Sequence, residues 1–145
     1  MTEPPYFVDA NVPMYAAGAE HPLKRPCIAI LEAVARGDLL ASTSVEIFQE
    51  ILHRYAAIGQ RLRAVEVAIR FLRIIPAPFP VTVFDLRRAM ELLAGHPDLQ
   101  ARDVLHVAVM ENNGLTHIIS ADQHFDAVSS IVRVDLAAWA TGRRT

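Results

Sequence analysis

Two short apolar runs in this chain each end on or just before an aspartate, and this repeated pattern narrows the fold most. The first is Tyr6-Phe7-Val8, closed by Asp9; the second is the pair Ile118-Ile119 at the centre of 116–120, with Asp122 one alanine further on. A short apolar run of this kind reads as a buried strand. Strands of that kind belong to parallel sheets whose crossovers are helices. The intervening chain has the matching periodicity. Helical spacing is expected over 11–17, 26–36, 61–73, 85–93, 101–112 and 136–140, with a long helix opened by Thr43 and Ser44 and ended at Gly59. Further short strands are expected over 39–42, 81–83 and 131–134. In the long helix the apolar stripe reads Phe48, Ile51, Leu52 and Tyr55; in the next it reads Leu62, Val65, Ile69 and Leu72. The expected fold is α/β, a three-layer sandwich with a short, mainly parallel central sheet flanked by helices. It fills residues 1–145 as a single domain.

Composition excludes several classes. Apolar residues make up 52% and charged residues 21%, a folded rather than a disordered balance. No apolar run reaches the roughly 20 residues of a membrane helix. Residues 1–5 lack a basic stretch followed by an apolar one, so no secretion signal is expected. With one cysteine, Cys27, no internal disulfide forms, and the cytoplasm is the expected compartment. A net charge of −2 gives no overall basic field for nucleic acid. Lys24 is the one lysine among 14 basic residues. Arginine suits two-point contact with phosphate, although a GC-rich genome explains most of these arginines. Arg54, Arg61, Arg63, Arg70 and Arg73 gather on two successive helices and form a candidate rim for phosphate contacts; the plainer reading is a solvated face.

The acids fall into two groups. Asp9 and Asp122 stand just past strand ends, where sites form in open α/β sheets; the plain alternative for each is a helix or turn cap. Glu46, Glu50 and Asp103 lie on helices. Thr43-x-x-Glu46 fits a capping box, which gives Glu46 a structural task. Glu50 has Arg54 at i+4, and the helix alone does not choose between that pair and a functional Glu50. Asp103 shares a face with Val107 and Met110, so a buried stripe begins with an acid. His106, one turn on, is placed to orient that acid or a water, or is simply packed. Ser120 puts a hydroxyl beside Asp122, and Asp126 is a fifth candidate acid. Four carboxylates in one place repel each other unless a cation lies between them. Oxygen ligands favour Mg²⁺ or Mn²⁺, which activate water for attack on a phosphodiester.

Four blocks in order carry a family resemblance: Val8-Asp9-Ala10-Asn11, Ser44 to Glu50, Ala101 to Ala108, and Ile119 to Phe125. Together they resemble PIN-domain ribonucleases, and within that family the VapC-type toxins of bacterial toxin–antitoxin pairs. The resemblance selects Glu50 over Glu46. It implies Asp9, Glu50, Asp103 and Asp122 as catalytic residues holding one or two Mg²⁺ or Mn²⁺ ions, with Asn11, Ser120, His106 and Asp126 in support. Gln123 and His124 depart from the basic residues often found there. The resemblance further implies an endoribonuclease acting on structured RNA such as tRNA or rRNA. It also implies a homodimer and a small VapB-type antitoxin whose tail covers the acidic site.

A different class of function uses the same fold as a non-catalytic RNA- or protein-binding module, its acids only capping helices. Two other Mg²⁺-dependent α/β families fit poorly. A phosphatase of the haloacid dehalogenase type wants a second Asp where Asn11 stands, and a receiver domain wants a late lysine.

Overall fold

The computed structural model describes residues 5–140; the ends of the expected 1–145 domain, and the absence of a secretion signal read from residues 1–5, lie at or beyond that limit. In chain order the elements are β1 (Tyr6–Val8), α1 (Asn11–Ala17), α2 (Lys24–Arg36), β2 (Ala41–Ser42), α3 (Val45–Ala57) and α4 (Arg61–Ile74). They continue with α5 (Val83–Gly95), α6 (Ala101–Asn112), β3 (His117–Ile119), a 3₁₀ turn at Gln123–Ala127, β4 (Val132–Val134) and α7 (Leu136–Ala140).

The four strands form one parallel sheet in the order β2-β1-β3-β4. Phe7 lies opposite Ser42 on one side and Ile118 on the other, and Ile119 lies opposite Val134. All three residues of β1 are buried, as expected for a strand covered on both faces. Helices supply that cover: α1 packs on α2, α3 on α4 and α5 on α6. The core is thus the α/β sandwich expected from the sequence. The chain moves from β1 outward to β2 and returns on the far side of β1 to form β3. The strand order therefore reverses between β1 and β3, the place where such sheets leave a crevice beyond the strands' C-terminal ends.

Three local expectations are corrected. The Thr43–Glu46 capping box does not form. Ser44 is the residue before the helix, and the Thr43 hydroxyl donates instead to the carbonyl of Val8 at 3.0 Å, tying α3 to the end of β1. Residues 81–83 are not a strand. Thr82 and Asp85 exchange hydrogen bonds in a capping box that starts α5 at Val83, overriding the β preference of the valines. The parallel bridge in this region joins Phe79 to Ser44.

The third correction concerns which faces are buried. On α4 the residues facing the core are Ala64, Val67 and Phe71, while Leu62 is 87% exposed and Val65, Ile69 and Leu72 also face outward. On α3 the buried face is Ile47, Glu50, Ile51 and Tyr55, with Leu52 outside. Both helices carry two apolar stripes of helical spacing, and periodicity does not rank them. The stripe containing the small Ala64 lets α4 approach closely, and the ring of Phe71 stacks 5.2 Å from that of Phe48.

Candidate active site

Parallel strands bring their C-terminal ends to one edge, so the acids that follow β1 and β3 arrive together. Asp9 comes directly after Val8, and its backbone N–H continues the ladder by donating to Ile119 at 3.1 Å. Its side chain is 5% exposed. The Asp9 Oδ1 accepts from the Ala10 amide at 2.8 Å; Oδ2 accepts from Ser120 Oγ at 2.6 Å and Asn11 Nδ2 at 3.2 Å. Ser120 in turn accepts from the Asp122 amide at 2.9 Å, and Asn11 accepts from the Ala121 amide at 3.3 Å. Asn11 and Ser120 thus hold both strand-end acids from behind.

Glu50 is 7% exposed, midway along α3. One oxygen meets His106 Nε2 at 3.2 Å; the other lies 3.7 Å from both Arg54 and Arg102. Burial acts to raise the Glu50 carboxyl, but the hydrogen bond and charge of His106 and the charges of Arg102 and Arg54 outweigh it, so the carboxyl stays below its ordinary range. An ionised carboxylate only accepts, so His106 donates through Nε2. His106 Nδ1 is buried without a hydrogen-bond partner among the described residues.

Asp103 opens α6 at the edge of the same cavity. Its Oδ2 accepts from the Gln100 amide at 3.1 Å, so the expected cap role is real. That role occupies one oxygen. Asp122 likewise uses Oδ1 to accept from the His124 amide at 2.9 Å, with His124 Nδ1 at 3.1 Å from the same oxygen. Capping therefore accounts for half of each carboxylate.

Asp9, Glu50, Asp103 and Asp122 all line one cavity of about 360 Å³. Ligand atoms of Asp9, Glu50 and His106 lie within 4.8 Å of one another, as do those of Asp103, Asp122 and His124. Burial raises the Asp9 carboxyl above its ordinary value, against the favourable His106 charge and Ser120 hydrogen bond, and Glu50 adds to the rise. Burial raises Asp103 too, and the charge of Asp122 adds to it. Such acids resist ionisation until a cation joins them. An oxygen-rich donor set with flanking imidazoles suits a hard dication such as Mg²⁺ or Mn²⁺.

The remaining predicted residues divide clearly. Arg54 lines the cavity. Arg61 is exposed on α4 and lies away from it, while Arg63 bonds the Ala17 carbonyl and pairs with Glu66. Asp126 is also elsewhere: Arg133 takes both its oxygens, at 3.0 and 3.2 Å, in a fork that satisfies the acid outside the cavity. Arg102, Gln100 and Tyr15 line the cavity without having been singled out in the sequence. Arg102 was readable in principle, since it precedes Asp103 on the same helix.

The family model for the PIN domain matches residues 6–131. Over 129 residues the chain is 37% identical to Ribonuclease VapC13 of Mycobacterium tuberculosis, spanning 88% of this chain and 98% of the relative. This chain belongs to the PIN-domain family, among its VapC ribonucleases. A second VapC relative from that organism, Ribonuclease VapC23, is 38% identical over 116 residues, 80% of this chain and 91% of the relative. Solved VapC structures share the fold. The Mycobacterium tuberculosis VapC20 structure, described as a sarcin–ricin loop cleaving toxin, matches with a TM-score of 0.72 at 21% identity, over 89% of this chain and 98% of that one. VapBC2 of Rickettsia felis, bound to a promoter DNA fragment, matches with a TM-score of 0.70 at 12% identity, over 90% and 97%. No helix among the described residues is long and apolar enough to cross a membrane.

Proposed function

We propose that this VapC-family chain is a metal-dependent endoribonuclease, the toxin of a toxin–antitoxin pair, with residues 1–145 forming one domain. The observation that carries the reading is the convergence of Asp9, Glu50, Asp103 and Asp122 from four separate segments on one cavity. Asp103 and Asp122 each keep an oxygen that no described hydrogen bond occupies, which leaves both free to accept a cation.

In this reading the four acids hold one or two Mg²⁺ or Mn²⁺ ions. Such an ion, when bound, lowers the pKa of water and stabilises charge on phosphate oxygens. The chain's own part is to fix the donors. Ser120 and Asn11 lock the Asp9 rotamer, and His106 locks Glu50. Structured RNA such as tRNA or rRNA is the substrate, and the cytoplasm is the setting. A VapB-type antitoxin and a second copy of the chain are the partners. Two outward apolar seams support partner binding: Leu62, Val65, Ile69 and Leu72 on α4, and Val83, Leu86, Met90 and Leu93 on α5.

The test is cleavage of purified tRNA and rRNA with Mn²⁺ or Mg²⁺, set against chelator and against Asp9→Asn. Cleavage that needs the metal and disappears in the variant is the expected result. Equal cleavage by the variant sinks the assignment. Mn²⁺ that neither binds nor shifts the melting temperature returns the chain to the non-catalytic alternative.

A further inference from the structure

An acidic cavity repels a polyanion, so a site that cuts RNA needs positive donors at its mouth. Two guanidiniums stand there, from different helices: Arg54 on α3 and Arg102 on α6. Both approach the same oxygen of Glu50, and both stop at 3.7 Å, beyond hydrogen-bond length. Two other partly buried arginines are held more firmly. Arg88 and Arg133 each donate three hydrogen bonds. Arg54 and Arg102 donate none among the described residues, so the charge of Glu50 holds them in place while their N–H groups stay available. Arg102 is less than a third exposed, which limits how far it swings away.

We propose that Arg54 and Arg102 form a clamp for an RNA phosphodiester, one guanidinium on each non-bridging oxygen, at the mouth of the acidic cavity. The inference rests on the ribonuclease reading and deepens it by assigning the substrate-holding half of the site. With a cation on Glu50, that carboxylate would no longer anchor Arg54 and Arg102, and their N–H groups would be free for the phosphate. A phosphodiester presents two non-bridging oxygens, one for each fork, and the guanidinium matches phosphate geometry as well as it matches carboxylate. The path of the chain supports this. A second hollow of about 280 Å³ opens beside the first and shares Asn11, Tyr15 and Arg54 with it. Arg54 therefore stands on the wall between the hollows, where a backbone leaving the cavity passes over it.

The test measures binding of a fluorescein-labelled, single-stranded, mixed-sequence RNA across a range of KCl. Ca²⁺ replaces Mg²⁺, and a denaturing gel verifies that the RNA stays intact. Full-length wild type is compared with Arg54→Ala, Arg102→Ala, the double variant and Arg102→Lys. The double variant is expected to bind about tenfold more weakly or worse. Its log–log salt slope should shrink by about 1.4, since each lost contact to a single strand removes about 0.7. Arg102→Lys should restore the slope while recovering only part of the affinity, which a merely structural role does not produce. Mn²⁺ affinity by calorimetry should hold or tighten, because positive charge beside Glu50 is removed.

Unchanged RNA affinity and slope overturn the clamp, as does tighter Mn²⁺ binding with no RNA effect, which makes the pair a neutraliser of Glu50 only. A glutamate-rich peptide is titrated in parallel, and variants that lose the peptide while keeping RNA affinity overturn the clamp in favour of a protein ligand. The two levels fail separately. If the double variant shows the slope change but wild type never cuts RNA with Mg²⁺ or Mn²⁺, the ribonuclease reading alone is refuted; if wild type cuts RNA and the arginine pair is inert, the clamp alone is refuted.

Discussion

Ser120 Oγ donates a 2.6 Å hydrogen bond to Asp9 Oδ2 across the point where the strand order reverses. The serine is fully buried, and it also accepts from the Asp122 amide and from Asn11 Nδ2. One hydroxyl therefore sets the positions of both strand-end acids. Ser120→Ala leaves those groups unsatisfied and should cost about 1–3 kcal/mol of stability. Because the acids also lose their alignment, Mn²⁺ affinity should fall by about 10–100-fold. Calorimetric titration of the folded variant checks this, and wild-type affinity would show that Ser120 only fills space.

Asp9 gives a prediction with the opposite sign for stability. Burial holds its carboxyl above the ordinary value, so the folded state binds the proton more tightly than the unfolded state does. Stability from this group is complete below the unfolded value near 3.9, and it is lost as pH rises through the higher folded value. At neutral pH the metal-free protein bears the cost of a buried charge. Asp9→Asn removes it, and in chelator at pH 7 the variant should melt about 3–6 °C higher than wild type. The gap should close as pH drops below the aspartate range. A variant that melts lower at pH 7 would mean that the hydrogen bonds to Asp9 outweigh its desolvation.

The same physics decides which parts of the fold and site are legible in the sequence. The strands 6–8 and 116–120 were legible because an apolar run that ends in an acid has few other uses, and their parallel pairing put Asp9 and Asp122 on one edge. Glu50 was not separable from Glu46 by helix chemistry. What separates them is a partner 56 residues away, since His106 reaches Glu50. Asp126 was misplaced because the cation that satisfies it, Arg133, comes from β4. The buried face of α4 was illegible for another reason: two stripes of equal period compete, and only the packed neighbour decides.

Asp85 provides a control for the difference between a structural and a functional acid. It is buried, caps α5 with Thr82, and accepts from Asn112 Nδ2 at 2.7 Å, tying α5 to α6. It does not line the acidic cavity. Asp85→Ala removes a cap and the hydrogen bond from Asn112, whose amide is exposed and can turn to water, so a loss of about 1–2 kcal/mol is expected by denaturant titration. Mn²⁺ affinity of the folded fraction should stay unchanged. A matching drop in metal affinity would tie Asp85 to the site after all.

Metal stabilisation should carry its own pH signature. A dication binds the ionised acids, and burial holds Asp9 and Asp103 above the ordinary carboxylate range. Protons therefore compete with the metal at higher pH than they do at exposed aspartates. At neutral pH, Mn²⁺ at about 100 times its dissociation constant should add about 2.7 kcal/mol to the unfolding free energy, and chelator should remove it. As pH falls through the raised values of Asp9 and Asp103, the Mn²⁺-induced rise in melting temperature should shrink. Glu50, held low by His106 and the two arginines, stays ionised to lower pH and contributes nothing to that upper loss. Melting scans with and without Mn²⁺ from pH 8 down to pH 4 test the point. A Mn²⁺ effect that persists undiminished until exposed carboxylates titrate would place the ion away from Asp9 and Asp103.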